Sequence, residues 1–238
     1  MIVYEGPSQL NGQPIVAIIT GLATPSTNRK TGPMAQLWIL DANTEPHTAV
    51  KTGADESVCG DCPARGKWCY VTTFQGPLSI YRTWKRGGYE GYNPERLRGV
   101  ALRLGAYGDP AAVPIGTIQA LGRACDRFTG YTHAWRYCDS KLRQYCMASV
   151  DTISDQKMAA REGWRTFRVA PGDSEKLRGE VICPASDEAG HKIDCFTCGA
   201  CDGRRRPSVK GHIVIAAHGA KTKRYLEEFG DEANRSAN

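Results

Sequence analysis

The chain has 238 residues, of which 41% are hydrophobic and 24% are charged, and this composition supplies a core for one α/β domain or two small ones. The formal net charge of +6 is what a protein with a polyanionic partner would carry. The N-terminus lacks the features of a signal peptide, and no window has the 18 apolar residues of a spanning helix. We therefore expect a cytoplasmic protein of a bacterium or phage-infected host, without a membrane partner.

Two apolar runs near the N-terminus predict strands at residues 14–20 and 36–40. The turn-rich segment between them predicts a hairpin with a long loop. A loop rich in glycine and proline follows and contains three cysteines. The next segment is predicted to be helical in its middle, where Tyr81, Trp84 and Lys85 have helical spacing.

From residue 99 onward, strand patterns alternate with helical patterns. The predicted strands cover residues 99–107, 128–136, 145–152, 164–170, 179–185 and 212–219. A helix is predicted after the first of these strands and another after the third, with Ser154 as N-cap and Gly163 as C-terminal stop. This alternation predicts an α/β fold, either a partial (β/α) barrel or an open, mostly parallel sheet, with cysteine-rich metal-binding loops.

We expect residues 1–220 to form a single α/β domain with a cysteine-rich segment at residues 183–206. A charged helix and tail are predicted for residues 221–238. In both architectures, functional side chains gather at the C-terminal ends of the strands. Three such side chains are candidate catalytic groups for positioning substrate or transferring protons: Asp109, His133 and Arg136. The alternatives are a helix cap for the aspartate and a hydrogen-bonded core position for the histidine.

Seven of the ten cysteines form two compact sets, and in a cytosolic chain such sets indicate metal ligands rather than disulfides. The first set is a C-x2-C-x6-C run comprising Cys59, Cys62 and Cys69. The second set is a C-x11-C-x2-C-x2-C run comprising Cys183, Cys195, Cys198 and Cys201. A C-x2-C step places two sulfurs on one metal from a single tight turn, so we predict all seven as metal ligands.

The second set can close a tetrahedral zinc site or hold a [4Fe–4S] cluster, and its C-x2-C-x2-C run is similar to the spacing of cubane sites in ferredoxins. The first set leaves one coordination position open or takes a fourth ligand from elsewhere. The candidates for that ligand are His47, Cys125, His133, Cys138 and Cys146. We predict one or two [4Fe–4S] clusters, with zinc as the alternative.

In these motifs the chain resembles the radical SAM superfamily, and it is similar to uncharacterised phage-borne proteins with CGDCP and CPAS…CxxCxxC signatures. The resemblance implies a partial barrel whose first cysteine set holds a [4Fe–4S] cluster that binds S-adenosylmethionine. It also implies that the cofactor contacts Trp68, Gly105, Gly108 and Asp109, and that the second set holds an auxiliary cluster. The superfamily's usual spacing is C-x3-C-x2-C, and its glycine segment commonly has two glycines and a glutamate, so this chain differs in both motifs.

Our first functional hypothesis is therefore an iron–sulfur enzyme that acts on a nucleotide or nucleic acid. The alternative is a zinc-stabilised protein that binds nucleic acid without catalysis. In that alternative, phosphates and bases would contact the basic and aromatic side chains between Tyr81 and Tyr92, together with Arg204, Arg205, Arg206 and Lys210. The same residues could instead form an ordinary solvated helix face and an exposed loop.

Overall fold

The computed structural model describes residues 1–171, 176–204, 211–219 and 221–235. These residues form a nine-stranded sheet in the order β1-β2-β3-β4-β5-β6-β7-β9-β8. The strands are β1 (Ile2–Pro7), β2 (Pro14–Thr20), β3 (Ala35–Asp41), β4 (Ala101–Tyr107), β5 (Arg127–Thr132), β6 (Met147–Val150), β7 (Thr166–Ala170), β8 (Glu180–Ile182) and β9 (His212–Ala216). The helices are α1 (Pro46–Thr52), α2 (Glu56–Cys59), α3 (Gly76–Lys85), α4 (Ile115–Ala124), α5 (Ile153–Arg161), α6 (Cys195–Cys198) and α7 (Thr222–Arg235).

The sheet is mostly parallel and open, which confirms the α/β class. The strands β1, β2 and β3 pair antiparallel, and every later pairing is parallel. From β3 to β7 the strands are neighbours in chain order, and β9 then lies between β7 and β8. Crossovers between parallel strands are almost always right-handed. Parallel strands that are adjacent both in the chain and in the sheet therefore have their connecting helices on the same face of the sheet.

The main core lies between the sheet and the helices α4 and α5. Ile118 and Leu121, three residues apart on α4, are fully buried in one cluster with Leu102 and Leu104 of β4. Ala159 of α5 joins the same cluster. Burying one Leu or Ile side chain contributes roughly 1.5–3 kcal/mol, so this layer is a large source of the stability of the sheet.

The predicted N-terminal hairpin is confirmed, because β2 and β3 pair antiparallel from Ile15↔Asp41 to Thr20↔Gln36. The strand predicted at residues 128–136 was too long, because it ends at Thr132 and residues Ala134–Arg136 form a 3-10 helix. The reason is that the N–H groups beyond the strand end donate to side-chain oxygens instead of a ladder.

Ser154 is not the N-cap of α5. The cap is Thr152, whose hydroxyl accepts the Asp155 N–H at 3.0 Å. The β-branched Thr152 has an extended backbone and directly follows the short strand β6, so the helix begins one residue after it. No helix in the described part of the chain is both long and apolar enough to cross a membrane.

Candidate functional site

The first cysteine set lies at the C-terminal edge of the parallel strands. Cys59 ends α2, which follows β3 through α1. Two contacts hold α2 against the strand ends: the Ser57 hydroxyl donates to Asp41 Oδ2 at 2.8 Å, and the Asp109 N–H donates to the Val58 carbonyl at 2.6 Å. The short helix is therefore fixed to the ends of β3 and β4, and the turns after it carry Cys62 and Cys69.

The three thiols of this set are electrostatic neighbours. Burial raises the pKa of the Cys59 thiol well above its ordinary value, and the adjacent Cys62 and Cys69 raise it further. Burial also raises the pKa of Cys69. Clustered thiolates need a compensating positive charge, and a bound metal is the usual source of it.

His133 lies between this set and the end of β6. Its Nδ1 is 3.5 Å from Cys62 Sγ, and its Nε2 is 3.6 Å from Asp151 Oδ2. Burial alone would lower the pKa of His133, but the neighbouring Cys62 and Asp151 raise it well above its ordinary value. The imidazole thus bridges a thiol of the set and a buried carboxylate.

Asp109 holds His133 in place through the backbone. Its Oδ2 accepts the His133 N–H at 2.8 Å, and its Oδ1 accepts the Ala111 N–H at 2.9 Å. Both oxygens of this buried carboxylate are therefore engaged in fixing the turns after β4 and β5. Asp109 is therefore a positioning residue, which holds the backbone of His133 and Ala111.

Tyr107 and Asp151 belong to the site although the sequence interpretation did not select them as site residues. Tyr107 ends β4, and its pKa is raised by burial and then by the adjacent Cys59. Among the described residues, Tyr107 Oη and Asp151 Oδ1 are buried without a hydrogen-bond partner. An unsatisfied buried polar atom costs about 1–3 kcal/mol, so these atoms mark a region that a ligand would complete. The only sequence signal for them is their position at strand ends.

Trp68 packs against the C-terminal helix. Its ring centroid is 4.9 Å from that of Tyr225 and 5.9 Å from that of Phe229, both in edge-to-face geometry. Next to it, Lys221 Nζ donates to the Cys69 carbonyl at 2.7 Å. Helix α7 thus covers the loop that carries the first cysteine set.

Arg136 and the two candidate glycines have contacts of their own. Arg136 pairs with Asp155 of α5, and its guanidinium lies 4.0 Å from the centroid of the Trp135 ring. Gly105 and Gly108 have φ values of 74° and 82°, where the pairing of β3 with β4 shifts register. These glycines therefore shape the strand end beside Asp109, whereas Arg136 faces α5.

The second cysteine set lies on the face of the sheet opposite α4 and α5. Cys183 and Cys201 are buried in a small cluster with Met147 and Ile213, and the two cysteines at the ends of α6 pack against it. Burial raises the pKa of Cys195 to about 11, and its neighbour Cys183 raises it as well. Four thiols thus share one buried region beside β5, β6 and β9.

The chain after α6 fills a gap in the sheet. β5 pairs with β4 up to Gly130 and with β6 only from Tyr131 onward. In the gap, the Gly130 N–H donates to the Cys201 carbonyl at 3.0 Å. Gly203 lies so close to the start of β6 that a Cβ there would be 2.6 Å from the Arg143 carbonyl oxygen. The second cysteine set is therefore joined to the sheet by backbone contacts.

Among the five candidates for a fourth ligand of the first set, His133 is the one that has a ring nitrogen against a thiol of the set within the described residues. His47 instead packs edge-on against Phe74, and Cys146 is buried beside Gly130. Within the described residues, no group of three or more His, Cys, Asp or Glu side chains is arranged to hold a metal ion.

The basic residues proposed for nucleic acid have varied surroundings. On α3, Lys85 Nζ donates to the Ala42 carbonyl at 2.8 Å, and Arg82 pairs with Glu45. Arg204 lies over the Phe128 ring at 4.7 Å. Arg205, Arg206 and Lys210 lie outside the described residues.

Comparison of the chain with protein-family models, with curated proteins and with solved structures gives no match.

Proposed function

We propose that this protein is an iron–sulfur enzyme of radical-SAM-like architecture, whose first cysteine set holds a [4Fe–4S] cluster. The observation that carries the proposal is the position of Cys59, Cys62 and Cys69 at the C-terminal edge of the parallel strands. Beside them lie His133 and Asp151, which follow β5 and β6. Chemistry in α/β proteins is concentrated at this edge.

The strand order supports a partial (β/α) barrel as the finer description of the fold. Six parallel strands, β3 to β7 and then β9, are neighbours in chain order. A barrel or part of one requires this order, whereas a doubly wound sheet reverses direction at a switch point. The first cysteine set follows β3, the first of the six, as the resemblance implies.

In the proposed enzyme, Cys59, Cys62 and Cys69 would hold a [4Fe–4S] cluster, which would supply the reducing chemistry for bound S-adenosylmethionine. The chain's own residues orient the site: Asp109 fixes the turn that carries His133, and α7 covers the cysteine loop. The substrate we propose is a nucleotide or nucleic acid, in keeping with the net charge of +6. The second set would hold an auxiliary cluster.

The test is anaerobic purification followed by iron, zinc and acid-labile sulfide analysis. We expect iron and sulfide in proportion to one or two [4Fe–4S] clusters per chain. Reduction in the presence of S-adenosylmethionine is then expected to release 5′-deoxyadenosine. A colourless protein with zinc and no iron, isolated from iron-replete anaerobic cells, would contradict the proposal.

A second candidate function, a zinc-stabilised nucleic-acid-binding protein without catalysis, is favoured by one distance. Two ligands of a tetrahedral zinc, with bonds of about 2.3 Å to sulfur and about 2.0 Å to nitrogen, are roughly 3.6 Å apart. Cys62 Sγ and His133 Nδ1 are separated by 3.5 Å. Asp151 lies at the other ring nitrogen, as in carboxylate–histidine–zinc sites.

Cobalt substitution separates this candidate from the first. If Cys59, Cys62, Cys69 and His133 bind one ion, the Co²⁺ form of the protein will have the absorption spectrum of a three-sulfur, one-nitrogen site. His133→Ala would change that spectrum, while the control His47→Ala, in a ring contact with Phe74, would not. Salt-dependent binding to DNA or RNA completes the test, because phosphate contacts weaken as salt rises.

A further inference from the structure

We propose that Arg103, Tyr70 and Tyr131 form a nucleotide-binding site on the sheet face between the two cysteine sets, with the phosphate on Arg103 and the base on Tyr70. This inference rests on the proposed function, because it names the residues that would hold the substrate of that enzyme. It depends on three independent observations: the position of Arg103, its lack of a carboxylate partner among the described residues and the exposure of Tyr70.

Arg103 lies on the sheet face that bears the second cysteine set. Along β4, Leu102 and Leu104 are buried against the α4 layer, so Arg103 points to the other side. Its Nη2 donates to Tyr70 Oη at 2.6 Å, and Tyr70 directly follows Cys69 of the first set.

Tyr131 connects the same arginine to the second set. It lies on β5, the neighbour of β4, and packs against the buried cluster that contains Cys183 and Cys201. Cys195 is an electrostatic neighbour of both Tyr131 and Arg103. The guanidinium is therefore placed between two predicted metal centres, where a substrate could reach either one.

Arg103 has no carboxylate partner among the described residues. Two buried arginines, at and just before β7, differ from Arg103 in this respect, because Arg165 pairs with Asp202 and Arg168 pairs with Glu180. The planar fork of a guanidinium matches the oxygens of a phosphate as it matches those of a carboxylate, so a phosphate could take at Arg103 the place that a carboxylate has at Arg165 and Arg168. The position is thus prepared for an anion.

Tyr70 supplies the second half of the site. Tyr70 is 70% exposed, and its hydroxyl accepts a hydrogen bond from Arg103. Stacking of a base on an aromatic ring contributes about 1–3 kcal/mol when measured by alanine substitution, and it tolerates any base. An exposed tyrosine next to an arginine therefore fits a nucleotide better than an inorganic anion.

The test compares AMP with adenosine, which differ only in the phosphate, by calorimetric titration of the anaerobically purified protein. We expect AMP to bind the wild type about tenfold more tightly than adenosine, as one charge-assisted contact allows. Arg103→Gln should remove that preference, Arg103→Lys should keep part of it, and Tyr70→Ala should weaken both ligands alike. Arg123→Gln, an exposed position on α4, is the control and should keep the preference.

Equal affinity of the wild type for AMP and adenosine would overturn the proposal, as would an unchanged preference in Arg103→Gln. Metal content is measured on each variant, because Arg103 could instead balance the charge of the Cys195 thiolate. Loss of the preference together with loss of metal from the second set counts against a nucleotide site. An AMP preference in a protein without iron would leave this site standing while the iron–sulfur proposal fails.

Discussion

Gly108 is a single residue on which the geometry of the first site depends. Its φ is +82°, and a Cβ at this position would be 2.6 Å from the Ile39 carbonyl oxygen. Any side chain would therefore push β4 away from β3, at the point where Asp109 begins the turn beside the cysteines. The positive φ and the close approach to Ile39 therefore require glycine at this position, whether or not a cofactor contacts it.

We predict that Gly108→Ala destabilises the fold by more than 2 kcal/mol, since about 1–2 kcal/mol comes from the backbone conformation and the clash adds to it. The control is Gly12→Ala, with a φ of +77° and no atom within 4 Å of the new Cβ. Urea unfolding of the two variants measures the difference. Equal losses of stability would show that the contact with Ile39 does not matter.

A substitution of Asp109 tests whether its carboxylate holds the first site in place. Asp109→Asn keeps the shape of the side chain but replaces one acceptor oxygen with a donor, which would face the N–H of either His133 or Ala111. We expect a loss of about 1–3 kcal/mol and weaker metal retention at the first set.

The control for this substitution is Asp139→Asn, because Asp139 also accepts a backbone N–H, that of Lys141 at 2.8 Å, but lies on the surface. Unfolding free energies and metal content are measured on both variants. If Asp109→Asn retains metal as the wild type does, the positioning role of Asp109 is wrong.

The sequence allowed the cysteines and the strand-end residues to be selected, but not their mutual contacts. His133 was selected because it lies near the end of an apolar run, and the structure indeed places it against Cys62. Tyr107 lies at a strand end but was not selected as a site residue, since only tertiary packing determines that its hydroxyl is buried beside Cys59. Asp151 also follows a strand, but its contact with His133 depends on packing between distant segments.

Among the elements, α7 has the clearest effect on the first site. Tyr225 is buried, donates its hydroxyl to the Val169 carbonyl at 2.8 Å and packs on Trp68. The helix is thus attached both to the end of β7 and to the cysteine loop. Without these two contacts, the charged helix α7 would be only weakly held against the rest of the protein.

We predict that Tyr225→Ala releases α7 and makes the first centre more accessible to oxygen. The loss of a buried aromatic side chain costs about 3–5 kcal/mol when it is complete, which is enough to detach a short terminal helix. The rate at which iron is lost in air measures the effect. The control Tyr225→Phe removes the hydroxyl alone and should lose about 1 kcal/mol without faster iron loss.

Arg165 attaches the second cysteine segment to the start of β7. Its guanidinium donates to the Ala200 carbonyl at 2.8 Å and to the Gly211 carbonyl at 2.9 Å, and it is fully buried. We predict that Arg165→Met costs about 3–5 kcal/mol, because Asp202 is left buried with one partner fewer. Arg161→Met, at an exposed position of α5, should be nearly neutral.

The measurement for Arg165 combines unfolding with metal analysis. We expect Arg165→Met to lose the metal of the second set and to keep that of the first, because the guanidinium holds the backbone of Ala200, the neighbour of Cys201. Simultaneous loss from both sets would mean that the two centres depend on a common element.

The elements were more predictable than their arrangement. Apolar periodicity located β2, β3 and the parallel strands, because each forms a short run bounded by turn residues. It did not predict β1, whose sequence IVYEGP is only partly buried. Nor did it show that β9 inserts between β7 and β8, since strand order is decided by packing between distant segments and leaves no local pattern.

At the scale of the whole molecule, metal removal tests how far the centres support the fold. The second set joins β5, β6 and β9 across a gap in the sheet, whereas the antiparallel strands β1 to β3 pair without it. We predict that anaerobic chelation lowers the unfolding temperature and increases amide exchange first around β8 and β9.

Hydrogen exchange of the metal-loaded and metal-free proteins makes this comparison segment by segment. The strands β1 and β2 serve as the internal control, because they pair with each other at the opposite edge of the sheet from β8 and β9. Uniform loss of protection along the chain would contradict the prediction of a separable region.

The strand order also has a consequence for the way this protein is made on the ribosome. Among the described residues, β8 has β9 as its one pairing partner, so the segment that carries Cys183 cannot join the sheet until residues 212–216 have been synthesised. At about 5–20 residues per second, that interval lasts a few seconds after Cys183 appears. The second set can therefore assemble only after residue 216 has been synthesised, and a metal bound by all four cysteines would be delivered no earlier than that.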